Sequence, residues 1–204
     1  MAVLHRATLS PSKLELLTPW LAGRSWSGET GELEQLGAYR FDDAMGEVGV
    51  ETFLLGTPDG RVLHVPVTYR AAPVEGAEAD LVGTMEHSVL GPRWVYDGCA
   101  DPVWAAELLT VVLTGGTQAA LFLDGGSDPL PATSTVQGSG TDGTPVEEVT
   151  SVSWRDDGDT TVVRAGSTEI VLARVVGADV AAGQTLTGRW ADGGPATLAG
   201  VRDA

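Results

Sequence analysis

Cysteine and lysine are nearly absent from this chain of 204 residues, which contains one of each, Cys99 and Lys13. A single cysteine excludes an internal disulfide, as is usual for proteins of reducing compartments. A single lysine restricts any chemistry that needs an ammonium group, such as Schiff-base formation, to Lys13. Cations are scarce overall, because 12 Lys and Arg stand against 28 Asp and Glu, giving a formal net charge of −16.

This acidic balance excludes whole classes of partner. Nucleic-acid binding relies on clustered Lys and Arg, and docking on anionic membranes relies on basic segments, and the sequence has neither. Long apolar runs are also missing: residues 102–116 form the longest one, which is too short to cross a bilayer. Residues 1–13 lack the apolar core of a signal peptide. We therefore expect a cytoplasmic protein without nucleic-acid or membrane partners, and its oligomeric state is left open.

The remaining composition is that of a globular protein, with 43% hydrophobic and 20% charged residues. Ser10-Pro11 is typical of a helix start, with serine as the cap and proline in the first helical position. Ser12 and Glu15 follow at capping-box spacing. Pro19 should end or kink this first helix near its preceding residue.

A second helix is predicted from Asp101-Pro102 to Gly115-Gly116. Glu107 is its one charged residue within the apolar run, so the helix should lie buried against a sheet. Upstream of it, the letters TPDG at 57–60 predict a turn between two β-rich runs. Pro66 lies in the second of these runs and indicates an edge strand or a bulge, because proline cannot donate to a ladder.

The sequence changes character after the linker-like segment DGGSDPLP at 124–131. Downstream of it, short β-rich runs alternate with glycine-containing turns. We predict an α+β protein, with an α+β domain at residues 1–125 followed by a small β-rich module at residues 126–204. Whether these two segments pack as one unit is left open.

Residues 84–116 gather the side chains best suited to a reaction, including His87, Asp97 and Cys99. A cysteine, a histidine and a carboxylate can together activate a thiolate nucleophile. However, no recognisable oxyanion-hole glycine motif flanks Cys99, and a lone cysteine beside a helix start is most often a small buried residue. Packing is therefore favoured over catalysis, and no catalytic residue is predicted.

Metal and cofactor motifs are also missing. The three histidines, at positions 5, 64 and 87, have no HxxxH spacing, and no CxxC accompanies them. RDDGD at 155–159 lacks the rest of a calcium-binding loop. The glycines at 115–116 and 138–140 do not belong to a phosphate-binding motif and are interpreted as turns. The sequence therefore predicts no metal site and no cofactor.

Aromatic side chains offer the one positive indication of a ligand. Indole rings can stack on the faces of sugar rings, or they can fill the interface between helices and a sheet, and this second interpretation is favoured. The candidate binding residues are Trp20, Trp26, Trp94, Tyr96 and Trp104, together with His87.

Three segments resemble the N-terminal cap domain of bacterial maltokinases: PWLAGRSW at 19–26, HVPVTYR at 64–70 and YDGCADPVWAAELL at 96–109. The resemblance extends over most of residues 12–124. It implies a curved antiparallel sheet packed with two helices. In that family the cap is joined to a kinase-like body that transfers phosphate from ATP to maltose, so the resemblance implies a link to maltose, trehalose and glycogen metabolism.

Residues 150–176 are similar to the opening strands of such kinase bodies, and Ala173 aligns with the lysine that grips phosphate, with Arg174 beside it. The 28 residues after Val176 contain no HxDxxxxN-like catalytic loop and no aspartate-based metal motif. We therefore expect a non-catalytic accessory protein that binds a carbohydrate or a partner enzyme. The alternatives are one half of a split, maltokinase-like sugar kinase, and a protein that holds a small apolar ligand.

Overall fold

The computed structural model describes residues 2–181, 183–191 and 193–204. The first part of the chain forms helices α1 (Lys13–Leu21) and α2 (Pro102–Thr114) and eight strands. These strands are β1 (Ala2–Leu4), β2 (Leu9–Ser10), β3 (Glu34–Asp42), β4 (Gly49–Gly56), β5 (Val62–Arg70), β6 (Leu81–His87), β7 (Gly91–Asp97) and β8 (Leu121–Leu123). Two short 3-10 turns, Glu78–Asp80 and Gly98–Ala100, precede β6 and α2.

In the described residues of the last part of the chain, the regular elements are strands. They are β9 (Ser134–Gly138), β10 (Ser153–Asp157), β11 (Thr160–Ala165), β12 (Thr168–Ala173), β13 (Gln184–Trp190) and β14 (Gly193–Asp203). They form a six-stranded antiparallel sheet in the order β10-β11-β12-β14-β13-β9, called the second sheet below. The first sheet is also antiparallel, in the order β2-β6-β7-β5-β4-β3, and β1 pairs with β8 in a separate parallel pair.

The predicted α+β architecture, with a curved antiparallel sheet, two helices and a β-rich continuation, is confirmed. Helix α2 lies between the two sheets, because its apolar side chains share one core with both of them. Helix α1 covers part of the opposite face of the first sheet and forms a second core there with Trp20 and Trp26. The predicted boundary between residues 125 and 126 stays a prediction, although one core joins the two segments.

The two sheets meet where β5 begins. The backbone N–H of His64 donates to the carbonyl of Arg174 (2.8 Å), and that of Val176 donates to the carbonyl of Val62 (2.9 Å). The start of β5 is thereby hydrogen-bonded to the segment that follows β12. We call this junction the seam.

Helix α2 follows its sequence signals closely. The Asp101 side chain caps the helix by accepting from the N–H of Val103 (2.9 Å), and Gly115 ends it in the left-handed conformation with φ 70°. Gly138 and Gly140, predicted to form a turn, instead bond the end of β9 and the residues after it to the end of α2. The N–H of Gly140 donates to the carbonyl of Val112 (2.9 Å), because a residue without a side chain can approach the helix backbone this closely.

Proline positions correct three expectations. Helix α1 begins at Lys13 rather than Pro11, although the Ser12–Glu15 capping box is present as predicted. Pro19 lies inside the helix, which continues to Leu21. Pro66 lies in β5, between β4 and β7, and not in an edge strand. Its missing N–H removes no bond to β7, because β7 pairs with β5 only from Val67 onward.

Among the described residues, no helix combines the length and apolar character needed to span a membrane.

Candidate functional site

A groove of about 620 Å³ opens on the face of the first sheet, beside the start of α1. This volume lies within the range of small-molecule sites, about 300–1,000 Å³. The arm that precedes α1 forms one wall, where His5, Ala7 and Leu9 line the groove in the alternation of an extended chain. The β3–β4 hairpin forms the opposite wall with residues 41–50, and Leu90 and Arg93 close one end.

A buried carboxylate organises the polar side chains beneath this groove. Both oxygens of Glu51 accept from Lys13 Nζ, at 2.9 and 2.7 Å. Arg40 donates to Oε1 through Nε (3.3 Å) and Nη2 (3.2 Å), and the Tyr69 hydroxyl donates to Oε2 (2.8 Å). Strand pairing places Arg40 opposite Glu51, and the first turn of α1 brings Lys13 over them.

The charged groups of this network stabilise one another in their ionised forms. Burial alone would raise the pKa of Glu51, but Arg40 and Lys13 hold that pKa below its ordinary value. Burial and the negative charge of Glu51 raise the pKa of Tyr69, so its hydroxyl remains a donor. Lys13 and Arg40 each keep about a quarter of their side-chain surface exposed, 24%, whereas Glu51 keeps 7%. The cations therefore face the groove and the carboxylate lies behind them.

One end of the groove is basic. His5 and His87 meet edge to face, with ring centroids 6.0 Å apart, and Arg93 lies close by on β7. Nδ1 of His87 accepts from the N–H groups of Leu90 (3.0 Å) and Val89 (3.3 Å), which leaves Nε2 as the protonated nitrogen of the neutral ring. Burial and the neighbouring positive groups of His5, Arg93 and Lys13 lower the pKa of His87.

The opposite wall is acidic and ends in an apolar tip. Asp43 accepts from the N–H groups of Val48, Met45 and Glu47, which fixes the β3–β4 hairpin loop. Partial burial opposes the charge of Asp43, yet these bonds keep its pKa below the ordinary value. Met45 at this tip and Leu90 across the groove are exposed apolar side chains. The groove is thus bipolar, with apolar lips.

A second ion-pair network is sealed inside the seam. Nη2 of Arg174 donates to Asp97 (2.5 Å) and Nε donates to the Thr161 hydroxyl (2.8 Å), while the guanidinium lies over the ring of Trp26 at 4.8 Å. Arg174 is fully buried, and burial opposes its charge. The adjacent Asp97 carboxylate nevertheless raises the pKa of Arg174 above its ordinary value.

His64 extends the seam network. Its Nδ1–H donates to the carbonyl of Ala173 (3.0 Å), so Nε2 accepts from the Tyr39 hydroxyl (2.7 Å). Burial, together with the charge of Arg174, lowers the pKa of His64 to about 4. The residue is therefore a neutral core histidine at neutral pH.

The seam contains the residues of two hypotheses drawn from the sequence, a Cys99 nucleophile and a phosphate-binding position beside Arg174. Cys99 is completely buried, as predicted, and burial raises the pKa of its thiol well above the ordinary value. Its neighbour Asp97 pairs with Arg174, whereas His87 lines the groove. Arg174, which the resemblance to kinase bodies predicts to lie beside a phosphate-gripping position, is held by Asp97 and Thr161.

The six aromatic and histidine candidates lie in several places. Trp20 and Trp26 pack edge to face, 6.1 Å apart, in the core under α1, and Trp104 is fully buried between the sheets. Trp94 and Tyr96 are on the α2 side of β7, because side chains alternate along a strand and Arg93 faces the groove. Of the six candidates, His87 alone lines the groove.

Sequence reasoning did not select the residues that organise the groove: Lys13, Arg40, Glu51 and Tyr69. Two signals for them were present. Lys13 is the single lysine of the chain, and Glu51 is a charged residue inside the apolar run of β4. A charge in such a run is unfavourable unless it is paired, and its partners are 11 to 38 positions away in sequence.

The strands that carry this groove correspond to a known family. Residues 20–101 match the family model of the maltokinase N-terminal cap domain. The cap match runs from the last turn of α1, through β3 to β7, to the cap of α2, so the predicted resemblance is confirmed over this range. It covers less than half of the chain and leaves out Lys13, His5 and the second sheet. No curated protein matches the chain.

Proposed function

We propose that this chain is a non-catalytic accessory protein of maltose, trehalose or glycogen metabolism that binds a carbohydrate in the groove of the first sheet. The observation that carries the proposal is the network around Glu51. It fixes an ammonium, a guanidinium and a phenol side by side on a rigid sheet. The similarity of residues 20–101 to the maltokinase cap supplies the metabolic context.

The chemistry of the groove suits a polyhydroxylated ligand. Sugar hydroxyls both donate and accept hydrogen bonds, so they can pair with the basic side chains at one wall and with the carboxylates at the other. Tyr69 and Phe41 add aromatic surface to the lining. Because Glu51 already orients Lys13 and Arg40, little side-chain entropy is lost when a ligand binds.

The contacts of Arg174 favour this role over the alternative in which the chain is one half of a split sugar kinase. Phosphoryl transfer needs a cation that is free to hold phosphate. In this chain the guanidinium nearest the aligned position is engaged by Asp97 and Thr161 inside the seam. A partner enzyme, the other predicted occupant, stays a prediction.

Isothermal titration calorimetry with maltose, trehalose and maltotriose tests the proposal. We expect measurable binding of at least one of them, and a loss of roughly tenfold in affinity in the Lys13→Gln variant, because a hydrogen bond from a charged group is removed. Arg164→Gln, an exposed cation on β11, is the matched control and should bind like the wild type. Absence of heat with all three sugars at millimolar concentration contradicts the proposal.

A further inference from the structure

The groove concentrates basic residues in a protein that is otherwise strongly acidic. The chain has 12 Lys and Arg and three His, and five of these fifteen residues line this groove. They are His5, Lys13, Arg40, His87 and Arg93. At the end of the groove where Arg93 lies, away from the acidic wall, a positive group in a concave site attracts ligands of opposite charge.

Two of these five residues, Arg93 and His87, offer donors that no carboxylate engages in the described part of the chain. Lys13 and Arg40 are engaged by Glu51, and His5 pairs with Asp124 at 3.2 Å. Arg93, in contrast, has no carboxylate partner within salt-bridge distance in the described part of the chain. Its Nη1 donates to the neighbouring carbonyl of Pro92 (2.9 Å).

His87 complements Arg93. Because Nδ1 of His87 accepts two backbone N–H groups, the Nε2–H of the neutral ring is free to donate. Strand pairing places Met85 opposite Arg93 and Gly91 opposite His87, so both side chains leave the sheet on the groove side. Glu86 lies between Met85 and His87 in sequence and therefore points to the other face.

We propose that this end of the groove binds an anionic group, a carboxylate or phosphate carried by the saccharide, with Arg93 as its main contact and His87 as the second donor. This inference rests on the proposed carbohydrate function. A planar guanidinium matches the two oxygens of such a group. The acidic wall around Asp43 and Glu47 then accepts from the hydroxyls at the uncharged end of the ligand, so the bipolar groove orients it.

The test compares glucose, glucuronate, glucose 6-phosphate and inorganic phosphate by calorimetry on the full chain. We expect one anionic sugar to bind roughly tenfold more tightly than glucose at low salt, with the difference shrinking as salt is added. Arg93→Gln should remove this preference, so that the anionic sugar binds no more tightly than glucose, while Arg164→Gln should keep the preference. The glucuronate and phosphate arms identify the anion.

Equal affinity of the wild type for glucose and for both anionic sugars overturns the inference and leaves the proposed function standing. An equal loss of neutral and anionic binding in Arg93→Gln also overturns it, because the residue then acts on the whole ligand. If inorganic phosphate binds as tightly as glucose 6-phosphate, the anion site is supported but the carbohydrate function is contradicted. The two claims therefore fail separately.

Discussion

Two carboxylates of this protein are buried beside cations, yet their surroundings differ. Asp97 and Arg174 have side-chain exposures of 3% and 0%, and their network is enclosed by the two sheets. Glu51 is nearly as buried, but its partners Lys13 and Arg40 reach the groove. A sealed pair holds the fold together, whereas a pair with exposed cations can offer hydrogen bonds to a ligand. Exposure of the cationic partner distinguishes these two networks, but it does not make a site by itself: Arg70 keeps the same 24% exposure beside the buried Asp101, which caps α2 outside the groove.

The largest effect is expected when the sealed pair is broken. Asp97→Asn keeps the size of the side chain but leaves the Arg174 charge without compensation, so the free energy of unfolding should fall by about 3–5 kcal/mol. Urea denaturation followed by tryptophan fluorescence measures this change. Glu169→Gln, which removes the exposed pair with Arg202, is the control and should cost less than about 1 kcal/mol. A similar small change for both variants contradicts a structural role for the seam.

The seam should also make stability depend on pH through His64. The pKa of this residue is about 4 in the folded protein and 6.5 in the reference state. The unfolded chain therefore takes up a proton first as pH falls. The contribution of His64 to the free energy of unfolding is fully present above pH 6.5 and is lost as the pH falls towards 4. The total loss is about 3 kcal/mol, at about 1.4 kcal/mol per pH unit.

Urea denaturation at about pH 7 and about pH 5 measures this pH dependence of the free energy of unfolding. His64→Gln retains a donor for Ala173 and an acceptor for Tyr39, but it cannot titrate, so its stability should vary less over this interval. Equal pH dependence in the variant and the wild type rules out His64 as the source.

Local sequence signals determined much of the fold. The Asp101-Pro102 start and the Gly115 end of α2, the capping box of α1 and the turn at residues 57–60 depend on neighbours within a few positions. Pro66 was misassigned because its effect depends on where the partner strand ends, which is a tertiary property.

The candidate site was harder to predict than the fold. Asp97 and Arg174 are 77 positions apart, and Lys13 and Glu51 are 38 positions apart. No spacing rule brings such residues together, since strand register and helix docking decide these contacts. Aromatic residues are binding candidates because their rings can stack on sugars. Large rings also fill cores, as Trp26 and Trp104 do here.

The difference between the Glu51 and Asp97 networks predicts different outcomes for Glu51→Gln and Asp97→Asn. Removing the Glu51 charge leaves Lys13 and Arg40 in contact with water, so the free energy of unfolding should fall by only about 1–3 kcal/mol. The side chains that face the groove, however, lose the group that orients them. The variant should therefore remain folded and bind saccharide poorly.

The central claim is that the Glu51 network forms a binding site, whereas the Asp97 network forms a structural seam. Saccharide titration of Glu51→Gln, compared with the wild type, is the most direct test of this claim. The sugar that the wild type binds most tightly is used, with circular dichroism to verify the fold. We predict an affinity loss of roughly tenfold or more in a folded variant. Unchanged affinity, or no saccharide binding by the wild type, would contradict the claim.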